Sequence, residues 1–245
     1  HDTHEVVQAD ALFRKGMYNK LTFGITYAFA ERFLLPFSHD EVVHLKGSML
    51  RKMPGETLDR FANLRLLYGY MWAQPGKKLL FMGSEFATWH EWDAEGELDW
   101  PLLDAPMHRG VHDWVRSLNL AYRRHPALHE QDWSAQGFEW IDCHDEDRTT
   151  LAWLRWTGDW SSYVEVVCNF TPVAWPAYRI AVPFAGRYDV LLDSTSADFG
   201  GAGSFDASAL DTVDEPWLGR NQYLEVTLPP LSMIALVPIA GQSAG

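Results

Sequence analysis

The stretch FLLPFSHDEVVH, residues 33–44, joins a run of large apolar residues directly to a group of titratable ones. Its first half is short and continuously apolar, which is typical of a strand buried on both faces of a parallel sheet. Pro36 cannot donate a hydrogen bond to a sheet ladder, so it should lie near the end of that strand. His39 and Asp40 follow at the carboxyl end, where active sites of parallel α/β folds are found. The stretch therefore predicts a strand that delivers functional side chains.

Helical and strand-like patterns alternate on both sides of this stretch. We predict a helix over residues 18–33, whose stripe is formed by Leu21, Ile25, Ala28, Phe29 and Arg32. Two further helices have apolar stripes, formed by Leu58, Phe61, Leu64, Tyr68 and Met71 and by Val111, Trp114, Val115, Leu118 and Tyr122. Between them, KKLLFMG, residues 77–83, predicts a second buried strand that Gly83 closes. This alternation indicates a parallel sheet with crossover helices.

The pattern changes after about residue 130, where helical periodicity gives way to short strand-like runs. These runs are GFEWI, TLAWLRW, VEVVCNF, YRIAVPF, YDVLL, YLEVTL and SMIALVP. Gly, Pro, Asp and Ser punctuate them, and TLAWLRW alternates as a strand with two different faces would. We therefore predict an antiparallel β-sandwich in the second half of the chain.

The overall composition argues against some classes of binding partner. The chain of 245 residues has a formal net charge of −13, so it would repel nucleic acid and anionic membranes. Its apolar stretches are too short for a membrane span, and no signal peptide opens the sequence. Cys143 and Cys168 form neither a metal-ligand spacing nor a disulfide framework, so a reducing compartment is expected. These features favour a cytoplasmic protein and leave a neutral partner open.

Three interpretations of SHDEVVH compete. Zinc ligation of the helical type needs two histidines at i and i+4, whereas His39 and His44 are five residues apart and would not share a helix face. A purely structural His-Asp pair could satisfy backbone groups at a strand end. The third interpretation is a sugar-processing site, since retaining glycosyl transfer uses a nucleophilic carboxylate and a carboxylic acid. A further carboxylate such as Asp40 can stabilise developing positive charge, and His39 can hold a sugar hydroxyl.

Longer segments of the sequence carry a family resemblance. FLLPFSHDEVVH, FANLRLLYGYMWAQPGKKLLFMGSEF, LDW, GFEW, NFTPV and LPPLSMIALVP follow one another along nearly the whole chain. Together they resemble the bacterial 1,4-α-glucan (glycogen) branching enzymes of the α-amylase superfamily. This combination is far more specific than a lone His-Asp pair, so the resemblance favours the sugar-processing interpretation.

The resemblance implies a (β/α)8 TIM barrel followed by an all-β domain, so the fold class is α/β plus all-β. It places residues 1–129 in the C-terminal part of the catalytic barrel, with FLLPF as strand seven and KKLLFMG as strand eight. Residues 130–245 then form the antiparallel β-sandwich domain. The family's third catalytic carboxylate falls on Asp40, the transition-state stabiliser, and the adjacent sugar-binding histidine falls on His39. The implied reaction cleaves α-1,4 bonds of amylose and transfers the chain to a 6-hydroxyl, forming the α-1,6 branches of glycogen.

The same resemblance places the family's nucleophile and acid/base carboxylates upstream of this sequence, which opens at His1 rather than Met. We therefore expect a C-terminal fragment whose partner is the missing N-terminal part of the same enzyme. Because catalytic residues act as a unit, the fragment alone should be inactive. No metal and no organic cofactor are expected for this chemistry.

Other residues near the predicted strand ends are candidates for glucan binding. Glu85, Trp89, Trp92 and Trp100 lie in or just beyond the loop after KKLLFMG. The remaining acids of that loop are expected to be solvated surface groups; they are Glu91, Asp93, Glu95, Glu97 and Asp99. Tryptophans of the second half are expected mainly to pack, with one or two holding glucan away from the active site; they are Trp140, Trp153, Trp156, Trp160, Trp175 and Trp217.

Two alternatives remain open at this point. A hydrolase of the same superfamily, for instance a trehalose-releasing one, would share the barrel and the His-Asp pair. A non-catalytic glucan-binding module would explain the absent carboxylates, although a dedicated module would not carry barrel elements. An assay for new α-1,6 linkages separates branching from hydrolysis, and glucan binding without turnover would support the module.

Overall fold

The computed structural model describes residues 2–43, 45–208 and 210–239. Its α-helices are α1 Asp2–Gln8, α2 Asn19–Thr22, α3 Met49–Lys52, α4 Thr57–Ala73 and α5 Pro106–Arg124. Its strands are β1 Leu34–Phe37, β2 Lys77–Leu80, β3 Phe138–Asp142, β4 Thr150–Trp156, β5 Tyr163–Asn169, β6 Trp175–Val182, β7 Tyr188–Asp193, β8 Gln222–Leu228 and β9 Ser232–Pro238. Short 3-10 helices lie at Ala11–Met17, Phe23–Thr26, His39–Glu41, Ser84–Phe86, Trp100–Asp104, Pro126–Leu128, Ala135–Gly137 and Ala197–Phe199.

The strand–helix–strand order predicted for the first half is confirmed. β1 and β2 pair in parallel, with α3 and α4 between them in the chain. The N–H of Phe81 continues this ladder by donating to the carbonyl oxygen of Phe37 at 2.9 Å. Gly83 then takes a φ of 87°, a left-handed conformation that glycine adopts readily. Both strands therefore end at the same edge, and a loop follows each of them there.

Two expectations for this half are wrong. β1 is not buried on both faces, because Leu34 and Pro36 on one face are exposed and Leu35 and Phe37 on the other are only partly buried; β1 also pairs with β2 alone in the described part of the chain. Pro36 is tolerated as the third of the four strand residues, since such an edge strand has few donors to lose. The helix predicted over residues 18–33 is reduced to α2, one 3-10 segment and turns. Within its predicted stripe only Leu21 is buried, so this segment lacks the packing that stabilises most protein helices.

α4 is buried almost all round, which exceeds the one-sided stripe predicted for it. Nearly every residue over 61–73 is shielded from solvent, while Leu58 in the first turn is 69% exposed. Gly69 allows this close packing, since a Cβ there would lie 3.0 Å from Cζ2 of Trp114 and 3.1 Å from Cβ of Met233. The helix is therefore held between α5 on one side and β9 on the other.

α5 has the amphipathic character predicted for it. Its buried face includes Val111, Trp114, Val115 and Leu118, whereas Tyr122, the last residue of the predicted stripe, is only partly buried. The indole N–H of Trp114 donates to the carbonyl oxygen of Arg65 in α4 at 2.9 Å. On the other side, a Cβ on Gly110 would lie 2.4 Å from the carbonyl oxygen of Phe199, so the loop of residues 193–208 packs directly on the helix backbone.

Strands β3 to β9 form the predicted antiparallel sandwich. The larger sheet has the order β3-β4-β5-β9-β7, and the smaller sheet pairs β6 with β8. Successive residues of a strand face opposite sides of a sheet, so the larger sheet serves two cores. In β4, Leu151 and Trp153 face the helices, whereas Ala152 and Leu154 face the smaller sheet. The outer face of the sandwich therefore covers α4 and α5.

A buried ion pair joins the helical half to the sandwich. Nη2 of Arg155 in β4 lies 2.9 Å from Oδ1 of Asp132, and both side chains are fully shielded. Arg155 also donates through Nη1 to the carbonyl oxygen of Ala73, at the end of α4, at 2.9 Å. Burial disfavours the Asp132 carboxylate, but a hydrogen bond from Tyr122 and nearby cations, including Lys78, lower its pKa. The charged form of the pair is therefore maintained in the protein interior.

Arg14 makes a second buried link between the two halves. Its guanidinium donates to the carbonyl oxygens of Phe170 and Val7 at 2.9 and 2.8 Å and to Oδ1 of Asn63 at 2.7 Å. These partners belong to the sandwich, to α1 and to α4. Because several acceptors satisfy it, the buried cation fixes the N-terminal segment against both neighbours.

Glu165 of β5 is buried inside the sandwich, and neither of its carboxylate oxygens has a hydrogen-bond partner among the described residues. Its ladder neighbours on either side are Leu154 and Leu236. Burial raises the pKa of Glu165 well above its ordinary value; Arg220 opposes this shift and Glu139 adds to it. Folding therefore favours the neutral carboxylic acid.

Replacing Asp132 with alanine should leave the Arg155 guanidinium buried without its counter-ion. Removing one partner of a buried pair costs about 3–5 kcal/mol, and we expect a loss of that order in the free energy of unfolding, measured by urea denaturation. Asp104→Ala is the control, because the Asp104–Arg109 pair is exposed and its N···O distance is 3.8 Å. Equal losses of stability in the two variants would contradict the role of Asp132.

Glu165→Gln should become progressively more stable than the parent as the pH rises. A raised pKa in the folded state means that the stability contributed by Glu165 is present below about pH 4.3, the ordinary value, and is lost as the pH rises towards the folded-state value. Urea midpoints measured between pH 4 and pH 8 test this. The exposed loop residue Glu95, changed to glutamine, should show no such trend. A difference between Glu165→Gln and the parent that stays constant with pH would sink the prediction.

Candidate active site

His39 and Asp40 lie at the carboxyl end of β1, as the sequence predicts. They occupy the 3-10 helix His39–Glu41, and Ser38 caps this helix by accepting the N–H of Asp40 at 3.4 Å. Because β2 is parallel to β1, the loop that follows β2 meets this helix at the same edge of the sheet. Two loops of the fold thus converge on the pair.

The two side chains contact each other and are open to solvent. Nε2 of His39 lies 3.2 Å from Oδ1 of Asp40, and the side chains are 57% and 70% exposed. The imidazole also lies beside the ring of Phe81, with a centroid separation of 5.9 Å, which limits its orientations. Nζ of Lys46 donates to the carbonyl oxygen of Asp40 at 2.6 Å. His39 therefore contacts the carboxylate of Asp40, Lys46 holds the backbone of that residue, and the carboxylate remains accessible to a ligand.

Glu41, the next residue, forms ion-pair contacts with other segments of the protein. Its Oε2 lies 3.1 Å from Nδ1 of His4 and 3.6 Å from Nζ of Lys52. Burial lowers the pKa of His4 to about 4, although the Glu41 carboxylate acts in the opposite direction. Glu41 therefore ties the site loop to α1 and α3. No sequence pattern pairs His4 with Glu41, so sequence reasoning missed this contact.

Glu91, in the loop after β2, fixes the segment that follows Asp40. Its Oε1 accepts the backbone N–H of Leu45 and its Oε2 accepts that of Gly47, both at 2.8 Å. Leu45 and Gly47 have φ values of 67° and 75°, in the left-handed region. The prediction that Glu91 is merely a solvated loop acid is wrong, because its carboxylate satisfies two backbone donors. Nothing in the sequence distinguishes it from neighbouring acids such as Asp93.

Two further hydrogen bonds join the loops after β1 and β2. The N–H of Trp92 donates to the carbonyl oxygen of Val42 at 3.0 Å, and Oγ of Ser48 donates to that of Trp89 at 3.2 Å. A cleft of about 600 Å³ lies beside Glu91, and its other walls are Leu45, Lys46, Gly47, Arg51, Lys52 and His90. The two loops therefore form one connected rim around an open cleft.

The three tryptophans predicted as glucan platforms have different environments. Trp89 packs edge-on against Phe61 and Trp92 edge-on against Phe81, with centroid separations of 6.0 and 5.1 Å. Both indoles are half-buried, so much of their surface is used in packing. Trp100 is 55% exposed and stacks on a buried phenylalanine at 5.2 Å. Of the three, Trp100 offers the largest open surface.

Glu85 is half-buried in the 3-10 helix Ser84–Phe86, directly after Gly83. A cavity of about 400 Å³ opens in the same loop, and its lining includes Ser84, Thr88 and Trp92 but not Glu85. Glu85 thus lies at the same end of the sheet as His39 and Asp40, and among the described residues no hydrogen bond or ion pair joins it to either of them.

Neither a metal site nor a membrane-spanning helix is found within the described ranges. No three His, Cys, Asp or Glu side chains come close enough to hold a metal ion in the described part of the chain. His44, the second histidine of SHDEVVH, lies outside the described residues. No helix within residues 2–43, 45–208 and 210–239 is both long and apolar enough to cross a membrane.

The second half of the chain matches a known domain family, since residues 140–239 fit the model described as the alpha amylase C-terminal all-beta domain. Solved structures match the fold of this chain over both of its halves. The α-amylase from H. orenii aligns over 96% of this chain and 47% of its own, with a TM-score of 0.55 and 17% identity. Pullulanase from Bacillus acidopullulyticus aligns over 95% of this chain and 28% of its own, with a TM-score of 0.62 and 14% identity. At these identities the likeness shows the fold alone.

Curated 1,4-α-glucan branching enzymes are far more similar in sequence. The enzyme from Aquifex aeolicus is 48% identical over 236 residues, which are 96% of this chain and 38% of that one. The enzyme from Cellvibrio japonicus is 50% identical over 236 residues, which are 96% and 32% of the two chains. The chain thus spans about a third of the length of the curated relatives it matches. Over nearly its whole length the chain is therefore similar to part of the bacterial 1,4-α-glucan branching enzymes.

Proposed function

We propose that this chain is the C-terminal part of a 1,4-α-glucan branching enzyme. The whole enzyme would cleave α-1,4 bonds of a linear glucan and transfer the released chain to a 6-hydroxyl in glycogen biosynthesis. One observation carries the proposal: a chain 48–50% identical to branching enzymes holds His39 and Asp40 at the carboxyl end of a parallel strand. On this proposal β1 and β2 are strands seven and eight of a (β/α)8 barrel. Residues 1–129 then belong to the catalytic domain and residues 130–245 to the all-β domain.

The geometry suits a supporting role in glycosyl transfer. The sugar ring gains positive, oxocarbenium-like character in the transition state. Asp40 would accept hydrogen bonds from sugar hydroxyls and place its negative charge beside the reacting ring. His39, whose Nε2 lies 3.2 Å from that carboxylate, would donate to or accept from a neighbouring hydroxyl. Surfaces around the strand ends would guide the glucan chain; they are Glu85, Trp89, Trp92 and Trp100.

Retaining transfer also requires a nucleophile and an acid whose carboxyl groups are about 5–5.5 Å apart. Glu41 and Glu91 flank Asp40 in the two loops, but both carboxylates hold the loops together. Either would have to release those contacts to act on a sugar. We therefore propose that both catalytic groups come from the N-terminal part of the enzyme, which is the partner of this chain besides amylose and glycogen.

The scheme requires no metal or organic cofactor, and neither nucleic acid nor a membrane takes part in it. We place the enzyme in the cytoplasm, because glycogen synthesis from soluble glucan fits a reducing compartment. Cys143 and Cys168 are both free thiols, in keeping with that assignment.

Exposed apolar groups in β1 and in the segment that precedes it support a missing partner segment. Phe13, Phe23 and Leu34 are 74%, 58% and 47% exposed. A groove of about 460 Å³ lies between β1 and the segment before it, and its apolar walls include Leu21, Ile25, Tyr27, Leu35 and Phe37. Open apolar surface of this kind marks an interaction site, and the preceding strands of a barrel would cover it.

The first test is reconstitution with a separately expressed upstream part and linear amylose. The mixture should form new α-1,6 linkages, whereas the 245-residue chain alone should form none. Asp40→Ala should lower kcat of the mixture by about 10²–10³-fold, because a charge-stabilising group is lost from the site. Asp93→Ala, which removes an exposed loop acid, is the matched control.

Three results would count against this proposal. Branching by the chain alone would show that one of its own carboxylates is the nucleophile. Reducing ends without α-1,6 linkages would favour the superfamily hydrolase. Full activity of Asp40→Ala would remove Asp40 from the reaction.

Glu91→Gln tests whether Glu91 positions the loop beside Asp40. The amide nitrogen of glutamine cannot accept the N–H of Leu45 or Gly47, so at least one anchoring bond is lost. We expect hydrogen exchange at one or both of these amides to accelerate at least tenfold, and kcat of the reconstituted enzyme to fall more than KM rises. Glu95→Gln should change neither quantity. Unaltered exchange at both amides would show that Glu91 does not hold this loop.

A further inference from the structure

A separate cavity of about 180 Å³ lies in the sandwich half of the chain. Its walls include two tryptophans, two arginines and two aspartates; they are Trp175, Trp217, Arg148, Arg179, Asp142 and Asp145. None of its lining residues comes from the loops that follow β1 and β2. The cavity is therefore distinct from the cleft beside Glu91.

An irregularity in β6 shapes this cavity. Residues three apart in a regular strand face opposite sides of the sheet. The register of β6 against β8 shifts between Trp175 and Tyr178, and Ala177 takes a left-handed φ of 50°. Trp175 and Tyr178 consequently line the same cavity. Bulges commonly re-aim side chains in this way beside binding sites.

The arginines of the cavity are held in place before any ligand arrives. Cζ of Arg148 lies 5.8 Å from the ring of Trp175, and Nη1 of Arg148 lies 3.0 Å from Oδ2 of Asp145. Cζ of Arg179 lies 5.2 Å from the ring of Trp217. These cation–π contacts restrict the long side chains, so less conformational entropy is lost when their N–H groups bind a ligand.

The charges of the cavity indicate the class of its ligand. Two guanidinium groups offset the two carboxylates of the lining, and Nε of Arg179 also lies 3.7 Å from Oε2 of Glu225, so the cavity offers no excess positive charge for a phosphate. The two arginines in turn disfavour a cation. Fixed donors and acceptors next to indole surface suit an uncharged ring that carries many hydroxyls. Trp217 is 36% exposed, which leaves part of its indole open to the C–H face of such a ring. The indole N–H of Trp175 has no acceptor among the described residues.

We propose that this cavity binds a glucosyl unit of an α-1,4-glucan and so holds the polysaccharide on the sandwich half. The choice of α-glucan among neutral saccharides rests on the proposed function. Trp217 supplies the stacking surface, and Arg148, Arg179 and the two aspartates bond the hydroxyls. A chain tethered here raises the local concentration of glucan at the catalytic half.

Calorimetric titration of the 245-residue chain with maltoheptaose tests this proposal. Trp217→Ala should raise Kd at least tenfold, and Trp217→Phe, which keeps an aromatic face, should have a smaller effect. Trp160→Ala is the matched control and should change Kd less than twofold. Trp160 is 48% exposed, packs in a tilted arrangement against Trp156 with a centroid separation of 4.9 Å and does not line the cavity. Circular dichroism checks that each variant is folded. If Trp217→Ala does not fold, the Kd of Trp217→Phe relative to the parent tests the proposal.

Three results would overturn the proposal. They are an unchanged Kd in both Trp217 variants, no binding at millimolar maltoheptaose, and equal affinity for cellohexaose, whose links are β-1,4. Binding of maltoheptaose at this cavity needs no catalytic carboxylate. The result of the titration therefore does not depend on whether the reconstituted enzyme is active. A chain that binds maltoheptaose through Trp217 but forms no branches with the upstream part would keep this inference and reject the proposed function.

Discussion

The burial of α4 over residues 61–73 is the constraint on which the rest of the structure depends. A crossover helix usually covers a sheet with one face and shows the other face to water. Here the second face of α4 is covered by the sandwich, and Gly69 brings its backbone close to Met233 of β9. The same helix also reaches the site, since the hydroxyl of Tyr68 donates to the carbonyl oxygen of Ser84 at 2.9 Å. The sandwich is thus a structural requirement of the half that carries His39.

Buried charges reinforce this arrangement at the junction between the two halves. Arg14 and Arg155 each donate to several acceptors that belong to different segments of the chain. A buried cation is tolerated only where such acceptors are in place, so each guanidinium favours one relative placement of the segments it joins. Hydrophobic contact alone is less directional, because many packings bury similar areas. The apolar surface of α4 therefore drives the association, and the arginines select its geometry.

Much of the fold can be predicted from the sequence, because its periodicity follows the packing. The strand-like runs beyond residue 130 coincide with β3 to β9, and the stripe around Trp114 coincides with α5. Residues 18–33 have helical spacing, but Leu21 is the one residue of the predicted stripe that is buried, so the spacing misleads. His39 and Asp40 are predictable because they follow an apolar strand directly. Glu91 is not, since its role depends on backbone N–H groups of a neighbouring loop, which no residue spacing encodes.

The position of Asp40 and its electrostatic strength have different origins. The position is built locally, by the Ser38 cap, by His39 and by the loop that Glu91 anchors. The strength depends on the surroundings: two unit charges 4 Å apart interact by about 1 kcal/mol in water but by about 4 kcal/mol at an effective dielectric constant of 20. With 70% of its side chain exposed, Asp40 in this chain is close to the aqueous limit. Under the proposed function, burial of Asp40 by the N-terminal part of the enzyme would lower the effective dielectric constant around its carboxylate and so strengthen its interaction with a cationic transition state several-fold.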